Sequence, residues 1–279
     1  MGKFHIGVLL ESFRMETKEA LKTAAGLGVA GIQMYSTNGK HAPENMSRTA
    51  RRELLDMVRG YGLQFSALCG DLGHGFGKTE KNPELIEKSK RIMELALELD
   101  THIITTHIGV VPSDPNHERY KIMQAACHEL SRAADGMGAH FAIETGPETS
   151  AVLKGFLDGL GSKGVAVNMD PANLIMVTGD DPVQAVYTLK DYIVHTHAKD
   201  GRKLKDGNAE VIYGVVDAVE HDGDYFVELP LGEGDVNFDL YLKALEDIGY
   251  KGFLTIEREV GVNPVEDIKK AAAFLRGKI

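Results

Sequence analysis

Residues 193–200 read Ile193–Val194–His195–Thr196–His197–Ala198–Lys199–Asp200, an apolar start that runs into polar side chains. Side chains of a strand alternate faces, so His195, His197 and Lys199 share one face while Val194, Thr196 and Ala198 share the other. Two imidazoles and an ammonium are costly to bury side by side unless something at that place uses them. The stretch therefore reads as a buried strand ending at the mouth of a barrel, with His197 as a candidate metal ligand.

Working outward, the same unit recurs along the whole chain. Short apolar runs at 4–10, 31–35, 64–69, 102–107, 140–144, 164–170 and 252–257 join 193–200 as strand candidates. Stretches with helical spacing lie between them at 17–27, 47–59, 84–99, 117–137, 150–160, 182–190, 238–248 and 264–276. In the segment 84–99, for example, Leu85, Ile92, Leu95, Ala96 and Leu99 fall on one helical face. Three helices open on an Asx–Pro pair, Asn82–Pro83, Asp181–Pro182 and Asn263–Pro264. There the Asx side chain is expected to cap, and proline loses nothing at the first turn. Strict strand–helix alternation implies parallel strands joined by right-handed crossovers. Eight such units close most naturally into an α/β fold of the (β/α)8 TIM-barrel type, a single domain over residues 1–279. An open doubly wound sheet is the alternative, but no GxGxxG follows the first strand.

The bulk numbers agree with that reading and narrow the partners. A chain of 279 residues is close to the length of a single α/β barrel, typically about 250 residues. Its formal net charge is −10 and no Lys/Arg-rich block occurs, so neither nucleic acid nor an anionic membrane is expected as a partner. No run approaches the roughly 18 apolar residues of a membrane span, and the apolar opening stops at Glu11. Two cysteines, Cys69 and Cys127, offer no CxxC pair, and a reducing, cytoplasmic setting is expected.

In a barrel of this kind the chemistry sits at the C-terminal ends of the strands. Those ends carry His107, Glu144, Asp170, His197 and Glu257 on five consecutive strands. Any one of them has a dull explanation as a cap or loop contact. Three carboxylates on one rim, however, would raise each other's pKa unless a cation neutralised them. Carboxylate oxygens with one imidazole suit one divalent ion, with Mn²⁺, Mg²⁺ or Co²⁺ favoured and Zn²⁺ also compatible.

Several stretches now resemble a known family. They are Ala142–Ile143–Glu144, Val167–Asn168–Met169–Asp170–Pro171–Ala172–Asn173, the stretch 195–200, Leu231–Gly232–Glu233–Gly234–Asp235, and 249–253 leading into Ile256–Glu257. Together they are similar to the sugar phosphate isomerase/epimerase group of xylose-isomerase-like TIM barrels, which includes ketose 3-epimerases and, more distantly, endonuclease IV. The resemblance implies that Glu144, Asp170, His197 and Glu257 ligate a single divalent metal, and that Glu144 and Glu257 form the acid/base pair. It also implies a homo-oligomer. The histidines that a three-zinc nuclease needs are absent, since Asn173 and Glu228 stand at two of their places and 65–69 carries none.

The function expected is a metal-dependent isomerase or epimerase of a small sugar, sugar phosphate or keto-sugar. Glutamates would move the proton through a metal-stabilised enediolate. The alternative is a lyase using the same site, an inosose dehydratase or 3-keto-glycoside eliminase. A phosphodiesterase on abasic DNA and a non-catalytic sugar-binding barrel rank behind both. Substrate contacts are expected from His107, Asn173, Lys199, Arg202 and His74, the last in a glycine-rich loop with Asp71. The connection of about thirty residues between Gly201 and Pro230 is expected to form a lid, and Gly232–Glu233–Gly234 is a weaker candidate for binding phosphate.

Overall fold

The computed structural model describes residues 4–217 and 223–279. Its strands and helices alternate in the expected order: β1 (His5–Leu9), α1 (Thr17–Gly26), β2 (Gly31–Tyr35), α2 (Arg48–Gly60), β3 (Gln64–Cys69), α3 (Asn82–Glu98), β4 (Ile103–Thr106), α4 (Glu118–Met137), β5 (His140–Glu144), α5 (Ser150–Asp158) and β6 (Val165–Met169). The second half continues with the short α6 (Pro171–Asn173), α7 (Pro182–Leu189), β7 (Ile193–Ala198), β8 (Asp200–Lys203), α8 (Ala209–Ile212), β9 (Phe226–Leu229), α9 (Phe238–Asp247), β10 (Phe253–Ile256) and α10 (Pro264–Arg276). Eight strands close a parallel barrel in the order β1-β10-β7-β6-β5-β4-β3-β2, while β8 and β9 pair separately as an antiparallel ribbon. No helix among the described residues is long and apolar enough to cross a membrane.

The helices cover the barrel with the faces their spacing marks. In α3, Leu85, Ile92, Leu95 and Ala96 are buried, and in α4 Met123, Ala126, Cys127 and Leu130 are. The ends follow local chemistry. Asp181 accepts from the backbone N–H groups of Val183 and Gln184, and Asn263 accepts from that of Glu266, so both cap as expected. Asn82 does not. It is already the first helical residue, and its amide instead donates to the Phe76 carbonyl at 3.1 Å, tying the helix to the glycine-rich loop before it. His117, a residue with no role legible in the sequence, caps α4 by accepting from the Arg119 N–H.

Two features of the barrel wall prepare the site. Gly31 and Gly7 leave room for the side chains of β10. A Cβ on Gly31 would lie 2.5 Å from the Phe253 ring, and one on Gly7 would lie 2.8 Å from Thr255 Oγ1. The strand register shifts at two places, between Ile32 and Gln33 on β2 and between Val167 and Asn168 on β6. Such bulges re-aim the side chain that follows them. Both shifted residues, Gln33 and Asn168, are polar, fully buried and turned toward His197 or its neighbours.

These contacts separate two kinds of glycine. Gly31→Ala is expected to lower stability by about 1–3 kcal/mol through overpacking against Phe253. Gly155→Ala, inside α5 with nothing within 4 Å of the new methyl, should raise it by about 0.5–1 kcal/mol. Urea denaturation of the two variants beside the parent chain reads both values, and a Gly31→Ala variant as stable as the parent would contradict the packing.

Candidate active site

His195 and His197 both point into the barrel, as strand alternation requires, with their rings edge to face 5.7 Å apart. His195 is the deeper of the two and is fully engaged: Nδ1–H donates to Asn168 Oδ1 at 2.9 Å, and Nε2 accepts from the Thr255 hydroxyl at 2.9 Å. Burial, reinforced by the neighbouring His197, holds its pKa well below the ordinary histidine value, so it is neutral. It is a spacer that fixes Asn168 and Thr255.

His197 is turned toward charge. Its Nδ1 lies 3.3 Å from Asp170 Oδ2, 3.3 Å from Glu257 Oε2 and 3.6 Å from Glu144 Oε1. Its Nε2 sits 3.0 Å from Gln33 Oε1, and the Gln33 amide is oriented by donating its N–H to Thr105 Oγ1. With Nε2 directed at Gln33, Nδ1 is the ring nitrogen that faces the three carboxylates, and so the one a metal ion would meet once its proton is displaced. Ligand atoms of Glu144, Asp170, His197 and Glu257 all lie within 4.8 Å of one another, and all four residues are buried.

Each carboxylate is held by donors on its far side. Asp170 accepts the N–H of Asn173 on Oδ1, which caps α6 and leaves Oδ2 toward His197. Glu144 accepts from Asn173 Nδ2 at 2.9 Å and from Asn168 Nδ2 at 3.1 Å. Asn173 can come this close because residue 146 is glycine at φ +134°, where a Cβ would meet Asn173 Cβ at 2.5 Å. Glu257 accepts from Lys199 Nζ at 2.9 Å, and the same ammonium reaches Glu259.

The charges follow from these contacts. Burial disfavours an ionised Glu257, but Lys199 and His197 outweigh it and hold the carboxyl well below the usual range. Burial likewise works against a charged His197, and here Glu257 and Glu144 prevail and push its pKa well above the ordinary value. A proton on Nδ1 is the cation these carboxylates draw in when no metal competes. A divalent ion answers the same demand with oxygen and imidazole donors already gathered, so the donor set fits one.

Around the cluster is a cavity of about 590 Å³ lined by Tyr35, His107, Asn173, Lys199, Tyr213 and Glu259 among others. His107 forms one wall. Its Nδ1 is 3.0 Å from Asp71, its Nε2 is buried without a hydrogen-bond partner, and Glu144 lies 3.8 Å away. Burial opposes its charge, yet Glu144 and Asp71 raise its pKa to about 9. Tyr213 packs on the His107 ring at 5.4 Å. It follows α8, in the connection expected to be a lid; Arg119 anchors that segment through an ion pair with Glu210. Residues 218–222 of the connection lie outside the described residues.

Of the residues singled out in the sequence, the structure brings Glu144, Glu257, His107, Asn173 and Lys199 to this one cavity, with Asp170 and His197 fully buried behind it in the cluster they form with the two glutamates. Arg202 is not there: it lies on β8, half-exposed, and pairs with Asp235 at 2.8 Å. His74 is exposed and lines a neighbouring chamber instead. The backbone N–H groups of Gly232 and Gly234 are not available to phosphate, because both donate to Asp200 Oδ2, which is itself buried. Sequence reading missed Gln33, Asn168 and Tyr213. The first two left a signal, since each is the one polar residue in an otherwise apolar buried strand; Tyr213 left none.

Glu148, at the end of the loop after β5, is a further buried carboxyl. Its Oε2 accepts the Val111 N–H at 3.0 Å and its Oε1 has no partner. Burial pushes its pKa up to about 8, so it is protonated at neutral pH. A carboxyl raised on folding favours the folded state fully below its unfolded pKa, and that contribution is lost as pH rises through the folded value. Glu148→Gln keeps an acceptor for Val111 and cannot ionise. Its stability relative to the parent should therefore be higher at pH 9 than at pH 5, by on the order of 4 kcal/mol. Urea midpoints at the two pH values test this, and a gain equal at both would contradict it.

A family model described as xylose isomerase-like TIM barrel matches residues 21–278. Among curated proteins, an inosose dehydratase of Clostridium beijerinckii is 25% identical over 175 residues, which cover 58% of this chain and 56% of that one. The match thus spans little more than half the length of that relative. Among solved structures, a xylose isomerase domain protein from Planctomyces limnophilus aligns with TM-score 0.80 at 24% identity, covering 98% of this chain and 96% of that one. A probable 3-DHS dehydratase from Bacillus anthracis aligns with TM-score 0.76 at 20% identity, covering 98% and 99%. A D-tagatose 3-epimerase-like protein aligns at 0.73 with 19% identity, covering 99% of each chain. At such identities the structural likeness shows the fold alone.

Proposed function

The chain belongs to the xylose isomerase-like TIM barrel family, and from that premise we propose that it is a divalent-metal-dependent isomerase or epimerase of a small sugar or keto-sugar. The observation that carries the reading is the buried set of Glu144, Asp170, His197 and Glu257, with His197 Nδ1 facing three carboxylates. Those four residues would hold the metal. When bound, it supplies Lewis acidity to adjacent carbonyl and hydroxyl oxygens and so acidifies the C–H beside the carbonyl.

The remaining work falls to this chain's own side chains. Glu257, kept ionised by Lys199, is the base that takes the proton from carbon, and Glu144 is the group that returns one. Asn168 and Asn173 keep the two Glu144 oxygens oriented between those events. Lys199 orients Glu257 and partly offsets the carboxylate charge. Tyr213, His107 and Tyr35 close the cavity around the substrate and limit water at the carbon centre. Return of the proton to the same carbon from the other face gives epimerisation; return to the neighbouring carbon gives aldose–ketose isomerisation.

A second reading uses the same first step. The curated relatives named inosose dehydratase favour a lyase, in which loss of a β-hydroxyl follows proton removal. The Nε2 of His107, buried and unpartnered at the cavity wall, could then protonate the departing oxygen.

Metal-loaded protein incubated in D₂O with a panel of ketoses and inososes separates these outcomes by mass spectrometry. Deuterium retained in a product of unchanged formula supports the isomerase or epimerase, and loss of one water supports the lyase. Glu257→Gln and Glu144→Gln should each lower the exchange rate by about 10²–10⁴-fold. No exchange with any member of the panel would overturn both readings.

A further inference from the structure

Beside the metal cavity lies a second chamber of about 420 Å³, and the two share the wall formed by Asp71, His107 and Tyr213. Their charges are opposite. The first cavity is lined by Asp71, Glu144, Asp224, Glu228, Glu257 and Glu259 against the single ammonium of Lys199. The second is lined by Lys78, Lys81, Arg119 and His74, with Asp71 as its only carboxylate, and Asp71 is already bonded to His107. In a chain of net charge −10, three fixed cations around one opening run against the bulk composition.

These cations are largely unspent. Among the described residues, neither Lys78 nor Lys81 makes an ion pair or hydrogen bond through its ammonium. Glu80 lies between the two lysines in sequence but forms no ion pair with either among the described residues, and Glu84 pairs with Lys88. Arg119 gives Nη2 to Glu210, but its Nε is buried with no partner. A buried guanidinium N–H without an acceptor is costly, and a ligand oxygen would relieve it.

The chamber is also built by the backbone. Gly75 has φ +59° and packs on the β4 loop so closely that a Cβ there would meet the Ile108 carbonyl at 2.7 Å and Gly109 N at 2.9 Å. Gly77 lies against the Arg119 side chain, where a Cβ would sit 3.0 Å from Cδ. The Phe76 N–H donates to the Ile108 carbonyl, which fixes this loop against the wall. Gly73, Gly75 and Gly77 of the glycine-rich loop thus line a cationic chamber.

We infer that the chamber binds an anionic group, phosphate or carboxylate, carried by a substrate whose ketone end lies in the metal cavity. This rests on the proposed carbonyl chemistry for its second half, while the anion site itself stands on the chamber alone. Planar carboxylate and tetrahedral phosphate both suit a guanidinium flanked by ammonium groups. The neutral hydroxyls of an unmodified ketose would leave Arg119 Nε and both lysines poorly matched.

Two measurements test the inference. Inorganic phosphate titrated into the metal-loaded protein by calorimetry should bind, and Lys78→Ala/Lys81→Ala should weaken it about tenfold or more. Lys78→Arg/Lys81→Arg should retain it, and metal content measured in parallel should match the parent in both variants. No phosphate binding, or equal binding by all three proteins, would overturn the anion site. In the D₂O exchange assay, a ketose, its phosphate ester and the corresponding sugar acid are then compared. A kcat/KM higher by about tenfold for one charged form supports the inference and identifies phosphate or carboxylate as the group. Exchange as fast with the neutral ketose overturns the substrate assignment and leaves the isomerase reading intact. No exchange with any of the three removes the carbonyl chemistry, and the phosphate titration still decides the chamber.

Discussion

The hydrogen bond from His197 Nε2–H to Gln33 Oε1 is the contact on which the site depends, because it decides which ring nitrogen faces the carboxylates. Gln33 is itself held by Thr105 on β4, and Asn168 on β6 is held between His195 and Glu144. Thr255 on β10 closes the chain through His195 and lies 3.4 Å from Ser66 on β3. One polar network therefore links seven of the eight barrel strands at and just beneath the level of the cluster. The barrel is closed by backbone pairing, but the angular position of each ligand is set by this layer.

Such a layer is expensive to bury, and its cost explains much of the surrounding sequence. Each carboxylate taken out of water loses several kcal/mol of hydration unless donors replace it. Asn168, Asn173, Lys199 and the N–H of residue 173 are those donors, and Gly146 is the concession that lets Asn173 reach Glu144. Asp200 does for the adjoining loop what these groups do for the cluster. Its two oxygens accept four backbone N–H groups, from Gly201, Gly232, Gly234 and Val236, and so fix the chain where the seventh strand hands over to the ribbon. That is why the glycines of 232–234 have no amide left for a phosphate, although the sequence alone presents them as a plausible nest.

The fold and the four clustered residues were legible because both follow from periodicity. Strand–helix alternation gives the barrel, and the last residue of each strand gives the rim. What periodicity does not encode was lost. Gln33 and Asn168 follow register shifts, so counting residues along β2 and β6 does not foretell where they aim. Tyr213 comes from a long connection with no repeating pattern, and only the closed structure brings it onto His107. Arg202 was misplaced for a related reason: it lies just past the seventh strand in sequence, but the chain turns at Asp200 into an antiparallel ribbon, and Arg202 meets Asp235 instead. Asn82 fails to cap because the helix begins one residue early and the amide is drawn to Phe76.

The two chambers divide the chemical problem. A quartet that could hold a metal, with the carboxylate proposed as base beside it, suits any reaction that begins by removing a proton beside a carbonyl, so it does not separate an epimerase from a dehydratase. The wall of Asp71, His107 and Tyr213 does bear on that difference. It stands between the quartet and the cationic chamber, and the three residues come from the loops after β3, β4 and β7 rather than from the strands. A substrate held at one end by its ketone and at the other by an anionic group would pass His107, whose Nδ1 is tied to Asp71 and whose Nε2 is buried without a hydrogen-bond partner, 3.8 Å from Glu144 Oε1. If the leaving or exchanging group of that substrate lies against Nε2, the protonated ring favours departure of an oxygen. If a carbon lies there, the ring has nothing to protonate and Glu144 alone returns the proton. On the proposed chemistry, reaction type would then follow from how far the anionic group sits from the ketone along the substrate, a length set by loop positions and not by the carboxylate–histidine cluster.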